Sequence, residues 1–458
     1  MIERFLKKFS NTTPALKRQT IPANQHPLRV DDLSPLALQV ADELRDAGYE
    51  AYIVGGCVRD ALMGKKPKDF DVATNATPEQ IKRLYRRARI VGRRFQIVHV
   101  QNRHETIEVT TFRGNHESAS ERQSSNYGEP KAKQSGKGLL TRDNVFGSME
   151  EDAVRRDFTC NALYFDTDTE EIIDFLGGVK DIKSGLLRTI GDPAKRFRED
   201  PVRMMRAVRF QAKLGLALDP TSEQQMTQVA HLISEVSPAR LFDEVIKLLL
   251  HEDATKAFDL FRESGLFELL FPNSAREISQ NAQLNQILEI AMQHTEKRLR
   301  NGKGVSPFYL YATLLWPSVA PRFNYLLENK TAPTRAMMIA ASEALEQQSA
   351  YITIPKRFSL AMRDTWHLQT QLHRRRGHQL QKNMEHPKFR AGYDFLVMRE
   401  ESGEDLGQLG KWWTDYQAAN ADQREKMLSE LDDTEPSKRR RRKPRRRKPK
   451  TKSKNTTA

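Results

Sequence analysis

The sequence predicts an α+β protein: a small mixed sheet with a few helices toward the N-terminus, then an all-helical remainder. Three observations carry that expectation. Short apolar or alternating runs at 51–54, 69–73, 97–100 and 106–112 read as strands set between turn and helix signals. From about residue 193 onward, apolar residues recur at helical spacing almost throughout. The stretch Lys438 to Lys454 holds thirteen Lys and Arg and no acid, so it repels itself, buries nothing and is expected to stay disordered. At 458 residues the length suits about three domains.

Taken in order, residues 1–30 are polar with three prolines and read as a loose extension. Apolar positions at 36–44 suit a helix, and 51–54 opens the first strand. Gly55-Gly56 makes a turn into a helix from about 58 to 63, and a loop at 64–68 leads to the strand bearing Asp69 and Asp71. Thr77 is a natural N-cap with Pro78 in the first turn, and the helix it starts turns Ile81, Leu84 and Tyr85 inward. Strands follow at 97–100 and 106–112. Between 114 and 141 the chain is polar without usable periodicity, and a stretch that long inside a domain closes over a substrate or is a disordered insertion. The segments 240–250, 257–270 and 309–315 show core faces of helices, and 432–437 is a short acidic linker.

The net charge of +15 sits mostly at the end. Without 438–454, 62 basic residues face 60 acidic ones. The basic block would gain counterion-release free energy on a polyphosphate, a gain that falls with salt. Two cysteines, Cys57 and Cys160, exclude a disulfide framework and a cysteine-rich zinc module and fit a reducing compartment. No run of eighteen apolar residues exists, so no transmembrane segment is expected. The start, 1–9, lacks the apolar stretch of a secretory signal, although it suits a short amphipathic helix. The cytoplasm is the expected location.

The chemistry lies in four clusters. Asp69 and Asp71, two apart, share one face of a strand. Paired carboxylates repel unless a cation neutralises them, and hard oxygen ligands suit Mg²⁺. Alternation puts Glu108 on one face with Thr110 and Phe112. If its strand lies beside that of Asp71, three carboxylates converge, a set able to hold two Mg²⁺ about 3.5–4 Å apart. Gly55 and Gly56 let backbone approach a ligand without Cβ obstruction, and Arg59 offers a planar fork for phosphate oxygens. Arg155 and Arg156 can clamp a triphosphate or sugar, with Asp157 accepting from a ribose hydroxyl or orienting Arg156, and Asn161 adding a donor. Finally, Asp200 reads as the N-cap of a helix with Pro201 at its first position. Its apolar stripe of Val202, Met205, Val208 and Ala212 leaves Arg203 and Arg206 on another flank, and Arg209 joins them as a candidate nucleotide contact. Asp200 and Arg203, three apart, present an acceptor beside a donor. That pattern suits adenine and equally cytosine, whereas guanine and uracil offer the reverse order.

These motifs, in this order, resemble those of the bacterial poly(A) polymerases among the class II nucleotidyltransferases, the superfamily shared with CCA-adding tRNA nucleotidyltransferases. The matching runs are Gly55 to Asp60, Asp69 to Thr74, Arg155 to Leu163 and Arg198 to Phe210, covering roughly residues 50 to 250. Ile90 to Val100 resembles the segment that separates the polymerases from the CCA-adding enzymes, and His386 to Asp394 and the arginine-rich end also look polymerase-like. The resemblance implies a polymerase-β-like nucleotidyltransferase head (31–165), then a helical neck (166–250), body (251–362) and leg (363–430), with the basic tail at 431–458. It implies Asp69 and Asp71 as ligands of the catalytic metals and Asp157 as an active-site residue. Glu108, from the strand pattern, is the candidate third ligand. Asp200 and Arg203 would read the base.

The expected activity is template-independent addition of AMP from ATP to RNA 3′ ends with release of pyrophosphate, and through it promotion of mRNA decay. Mg²⁺ is the expected metal, two ions, with Mn²⁺ possible. Arg374, Arg375, Arg376, Lys388 and Arg390 are candidate RNA backbone contacts. The expected partners are RNA 3′ ends, with RNA-decay or RNA-chaperone proteins, and the expected state is a monomer. Two alternatives stand beside this: a CCA-adding enzyme, which shares the head chemistry, and a non-catalytic RNA-binding protein.

Overall fold

The computed structural model describes residues 17–67, 69–92, 96–114, 133–134, 140–142 and 145–434. The amphipathic start, most of the polar stretch 114–141, residues 93–95 of the discriminating segment and the basic tail lie outside them.

The head is an eight-stranded mixed sheet. Its strands are β1 (Gln19–Ile21), β2 (Ala51–Val54), β3 (Asp71–Thr74), β4 (Ala88–Val91), β5 (Ile97–Gln101), β6 (Thr106–Thr111), β7 (Leu163–Phe165) and β8 (Ile172–Asp174). Their order across the sheet is β1-β8-β7-β2-β3-β6-β5-β4. Every pairing is antiparallel except β3 with β6, which run parallel with Asp71 opposite Glu108. The helices are α1 (Pro35–Asp46), α2 (Gly56–Leu62), α3 (Pro78–Leu84), α4 (Met149–Arg155) and α5 (Gly178–Lys183). Caps fix where they begin: Ser34 accepts from the amides of Leu36 and Ala37, and Thr77 forms a capping box with Gln80. Each such cap is worth about 1 kcal/mol.

Strand alternation sorts the side chains onto two faces. Ile53, Val72, Val98, Val100, Ile107 and Val109 belong to a large core that also takes in Val40 and Leu44 of α1 and continues into the helical region as far as Met398. On the opposite face Val54, Ala73, Phe112 and Tyr164 join Met149, Ala153 and Phe175 in a smaller cluster. Asp71 and Glu108 fall on this second face by parity with Ala73 and Phe112, so the carboxylates stand at the edge of that apolar layer.

The α+β class stands as expected, but the sheet is wider than the sequence reading. Gln19–Ile21 lies at the sheet's edge against β8 rather than in a loose extension. The strands 88–91, 163–165 and 172–174 were not among those expected. The last two are three residues long and wholly buried, so no polar alternation marks them. Leu84, expected inward, is 41% exposed, because α3 ends there. Ile81 and Tyr85 turn in as expected, the Tyr85 hydroxyl donating to the Val40 carbonyl at 3.0 Å.

Beyond β8 come α6 (Pro193–Glu199), α7 (Val202–Leu214), α8 (Pro220–Val229) and α9 (Pro238–Leu249), then further helices to Thr434. Pro193, Pro220, Pro238, Pro272, Pro307 and Pro333 each open a helix, where the missing N–H costs nothing. No described helix is long and apolar enough to cross a membrane.

Candidate active site

The glycine turn joins β2 to α2. Gly55 has φ +78°, a conformation that favours glycine, and its amide donates to the Leu163 carbonyl of β7 at 3.2 Å. The turn delivers Arg59 inward, where it is 3% exposed. Its Nε and Nη2 donate to Asp60 at 2.8 and 2.7 Å, and its Nη1 donates to the Asn161 side-chain oxygen. The open phosphate fork expected of Arg59 is therefore a tethered one.

Asp69 precedes the strand rather than lying within it, since β3 begins at Asp71. Phe70 between them is buried, which turns both carboxylates the other way. Burial and the neighbouring Glu108 carboxylate push the Asp71 carboxyl up to about 6, with Arg156 pulling against them and Asp69 adding to the rise. Glu108 stands opposite Asp71 in register and meets His99 of β5 at 3.4 Å. Among the described residues no three His, Cys, Asp or Glu side chains stand close enough to form a closed metal cluster. The donor set nevertheless fits a divalent cation: Glu108 and Asp69 raise the cost of ionising Asp71, these are hard oxygen donors, and a cation would remove that repulsion.

Asp157 departs from its expected partners. It does not orient Arg156. Its Oδ2 accepts from Arg206 Nε at 2.7 Å, and its Oδ1 accepts from Asn161 Nδ2 at 3.0 Å and from the Phe158 amide at 2.9 Å. Burial opposes ionisation, yet Arg206, Asn161 and the amide together hold the carboxyl well below the usual carboxylate range. Arg156 instead pairs with buried Asp152 at 2.9 Å, beside the Tyr164 hydroxyl. Arg155 donates to the Gly114 carbonyl.

The pair expected to read the base is also built differently. Asp200 ends α6 instead of capping α7, whose N-cap is Pro201 without a side-chain hydrogen bond. The Asp200 carboxylate is held in a two-pronged pair by Arg240 of α9 at 2.8 and 2.9 Å. Arg203 donates to the Arg196 carbonyl at 2.9 Å and approaches Glu199 at 3.3 Å.

One cleft of about 990 Å³ gathers all of this. All fourteen candidates named in the head and in α6–α7 line it: Gly55, Gly56, Arg59, Asp69, Asp71, Glu108, Arg155, Arg156, Asp157, Asn161, Asp200, Arg203, Arg206 and Arg209. Eleven Lys and Arg against nine Asp and Glu make its lining net basic, with Asp69, Asp71 and Glu108 supplying an acidic group within it.

The sequence matches the Poly A polymerase head domain over residues 51–188, a probable RNA and SrmB-binding site of polymerase A over 215–278, and the polymerase A arginine-rich C-terminus over 329–447. Poly(A) polymerase I of Salmonella typhimurium is 43% identical over 430 residues, covering 93% of this chain and 91% of that protein. The chain belongs to the poly(A) polymerase I family. Its counterpart from Haemophilus influenzae is 42% identical over 95% of this chain and 96% of that protein. The CCA-adding enzyme of Geobacillus stearothermophilus is 40% identical but over only 50% of this chain and 53% of that protein. Among solved structures, a tRNA-processing enzyme in an apo form aligns with a TM-score of 0.53 at 21% identity, over 91% of this chain and 98% of that one, a likeness of fold.

For a poly(A) polymerase family member, the five candidate RNA contacts are unevenly placed, and none lines the cleft. Arg374 is exposed. The Arg375 guanidinium lies 5.0 Å from the Trp412 ring centre, and Trp412 stacks on Tyr416 at 4.9 Å. Lys388 sits 4.6 Å over Phe308, and Arg390 is held by Asp394 at 2.8 Å. Arg376 begins a short helix as its N-cap.

Sequence reasoning missed Lys65, Lys66, Arg113, Lys213, Arg240 and Phe210 as cleft residues. Phe210 and Lys213 sit four and seven residues beyond Arg206, on the same helical side, which was a legible signal. Arg240 had none, because its link to Asp200 spans forty residues.

Proposed function

We propose that this cleft is the active site in which AMP is transferred from ATP to RNA 3′ ends, with Asp69, Asp71 and Glu108 at the reacting end and the arginines along the triphosphate. The chain polyadenylates RNA without a template, releasing pyrophosphate. The observation that carries the site assignment is the pairing of Asp71 with Glu108 across parallel strands, in one cleft with a wall of guanidiniums. The substrate is a nucleotide, the reaction needs a divalent metal, and RNA is the acceptor.

Asp69 and Asp71, with Glu108, would hold the cation, which we take to be Mg²⁺, two ions, with Mn²⁺ as a substitute. When bound it supplies Lewis-acid stabilisation of developing charge on phosphate oxygens. The residues themselves position and screen. Arg206 and Arg209 offer donors to the triphosphate, with Arg59, Arg155 and Arg156 behind them, and Asn161 and Asp157 keep Arg59 and Arg206 from turning away. Asp200 presents its carboxylate edge to the base with Arg203 beside it, its orientation set by Arg240. Most of the acceleration then comes from orientation and preorganised charge.

Arg374–Arg376, Lys388 and Arg390 with the tail would contact RNA backbone, raising affinity without sequence choice. We place the protein in the cytoplasm as a monomer that meets RNA-decay or RNA-chaperone proteins.

Incubation with a generic RNA, Mg²⁺ and each nucleotide singly tests the function. A ladder with ATP alone is expected. Growth stopping after three nucleotides on tRNA would instead mark CCA addition, and no extension would mark a binder. Removing residues 438–458 should lower the slope of log affinity for RNA against log salt, since up to thirteen cations leave with it. Turnover on saturating RNA should stay within about twofold. An unchanged slope would remove the tail from RNA binding.

A further inference from the structure

Three guanidiniums surround one aromatic ring in the cleft. The guanidinium carbons of Arg59, Arg206 and Arg209 lie 5.2, 5.3 and 5.2 Å from the centre of the Phe210 ring. These residues come from two elements, α2 and α7, and each also has a carboxylate: Asp60, Asp157 and Glu244 respectively. The carboxylates tether the arginines from behind, whereas the ring is the one group that all three share. Its face carries negative quadrupole density and attracts a cation within about 6 Å.

Like charges do not gather without cause. Burial disfavours the Arg209 cation, and Arg206 and Arg59 add to that, against Glu244. An aromatic face can hold several cations side by side without neutralising any of them. Phe210 is itself 7% exposed and braced edge-on by Phe158 at 5.7 Å, so the ring is not free to swing.

We propose that Phe210 is a positioning residue for the triphosphate of ATP: it holds Arg59, Arg206 and Arg209 as a fan whose charge stays available to the incoming phosphates. This rests on the reading of the cleft as the ATP site. The ring touches no reacting atom, so its removal acts on nucleotide affinity more than on turnover.

The test is steady-state kinetics of the full-length chain at saturating RNA. Phe210→Leu, which keeps a branched apolar side chain and removes the quadrupole, raises KM for ATP about tenfold and leaves kcat within about twofold. Inhibition by pyrophosphate weakens in parallel, while KM for RNA and the unfolding midpoint stay near those of the unaltered protein. Phe210→Tyr, which keeps the ring, recovers most of the affinity. An unchanged KM in Phe210→Leu, or equal losses in the Leu and Tyr variants, overturns the proposal. Arg209→Ala and Arg206→Ala separate the two levels. If they raise KM for ATP and Phe210→Leu does not, the ring has no such role and the ATP site stands. If neither raises it, the ATP site itself is misassigned. Should Phe210→Leu fail to fold, Phe210→Met is judged by the same criteria.

Discussion

Asp71→Asn should abolish AMP incorporation and make the folded protein more stable. The two effects have one origin. Asp71 is a carboxylate placed where ionisation is disfavoured by burial, by Glu108 directly across the strand pair and by Asp69, against the pull of Arg156. Its carboxyl is pushed up to about 6, above the ordinary carboxylate value. The sign follows from linkage: a carboxyl harder to ionise in the fold than in the open chain subtracts stability once pH exceeds the unfolded value. An asparagine of the same shape carries no such penalty, so the variant should gain about 2 kcal/mol at pH 7.5 in a chelator. The gain should vanish near pH 4. Adding divalent cation should stabilise the original protein and not the variant, closing the gap by mass action. Activity should fall by about three powers of ten, the scale of losing several kcal/mol of transition-state charge stabilisation. RNA binding should survive. Extension rates, RNA affinity and unfolding midpoints at two pH values measure all of this. An Asp71→Asn protein that still extends RNA at the original rate would end the site assignment. One that is inactive and also less stable would show that Asp71 supports the fold instead.

What the sequence disclosed and what it hid divide along a physical line. Local order was legible wherever a residue acts on near neighbours. Gly55-Gly56 with the following helix, the capping box at Thr77, and the Asp69–Asp71 spacing across buried Phe70 all follow from backbone geometry within a few residues. The convergence of Glu108 on Asp71 needed only one further assumption, that two strands are neighbours. The partners of long charged side chains were not legible. Asp157 goes to Arg206, Asp200 to Arg240, and Arg156 to Asp152. An arginine reaches several ångströms and pairs with whichever carboxylate the fold brings near, so a sequence-adjacent partner such as Asp157 for Arg156 is one choice among several. The same reason makes Asp200 look like an N-cap. Asp before Pro is a capping signal, yet Arg240 supplies a charge-assisted two-point contact, stronger than a neutral capping bond. The short strands at 19–21, 163–165 and 172–174 escaped because three residues are too few to show a period.

Arg206→Ala should cost about 2–3 kcal/mol of stability, and the cost should depend on pH in a way that identifies its source. Burial is the largest single influence on Asp157 and opposes its charge, and Arg206, Asn161 and the Phe158 amide together overcome it. A carboxyl held below its ordinary value contributes stability above the unfolded value and loses it only as pH falls through the lower, folded one. Removing the guanidinium reverses the balance. Burial is then the larger influence, the carboxyl moves above its ordinary value, and the same residue that stabilised the fold at neutral pH now opposes it. The difference between the two proteins should therefore widen from pH 3 to pH 7, across the unfolded carboxylate value. A surface charge change would give a small and nearly constant difference, because exposed pairs are worth little. Changing both partners, Asp157→Asn with Arg206→Gln, should return most of the loss, since a buried charge left alone costs more than a neutral pair. Urea unfolding at the two pH values, with the double-mutant cycle, gives the coupling directly. A loss independent of pH, or a double variant no more stable than Arg206→Ala, would mean that Arg206 stabilises the cleft through packing on Phe210 rather than through Asp157. Arg206 touches both the Asp157 carboxylate and the Phe210 ring, as Arg209 touches Glu244 and the same ring.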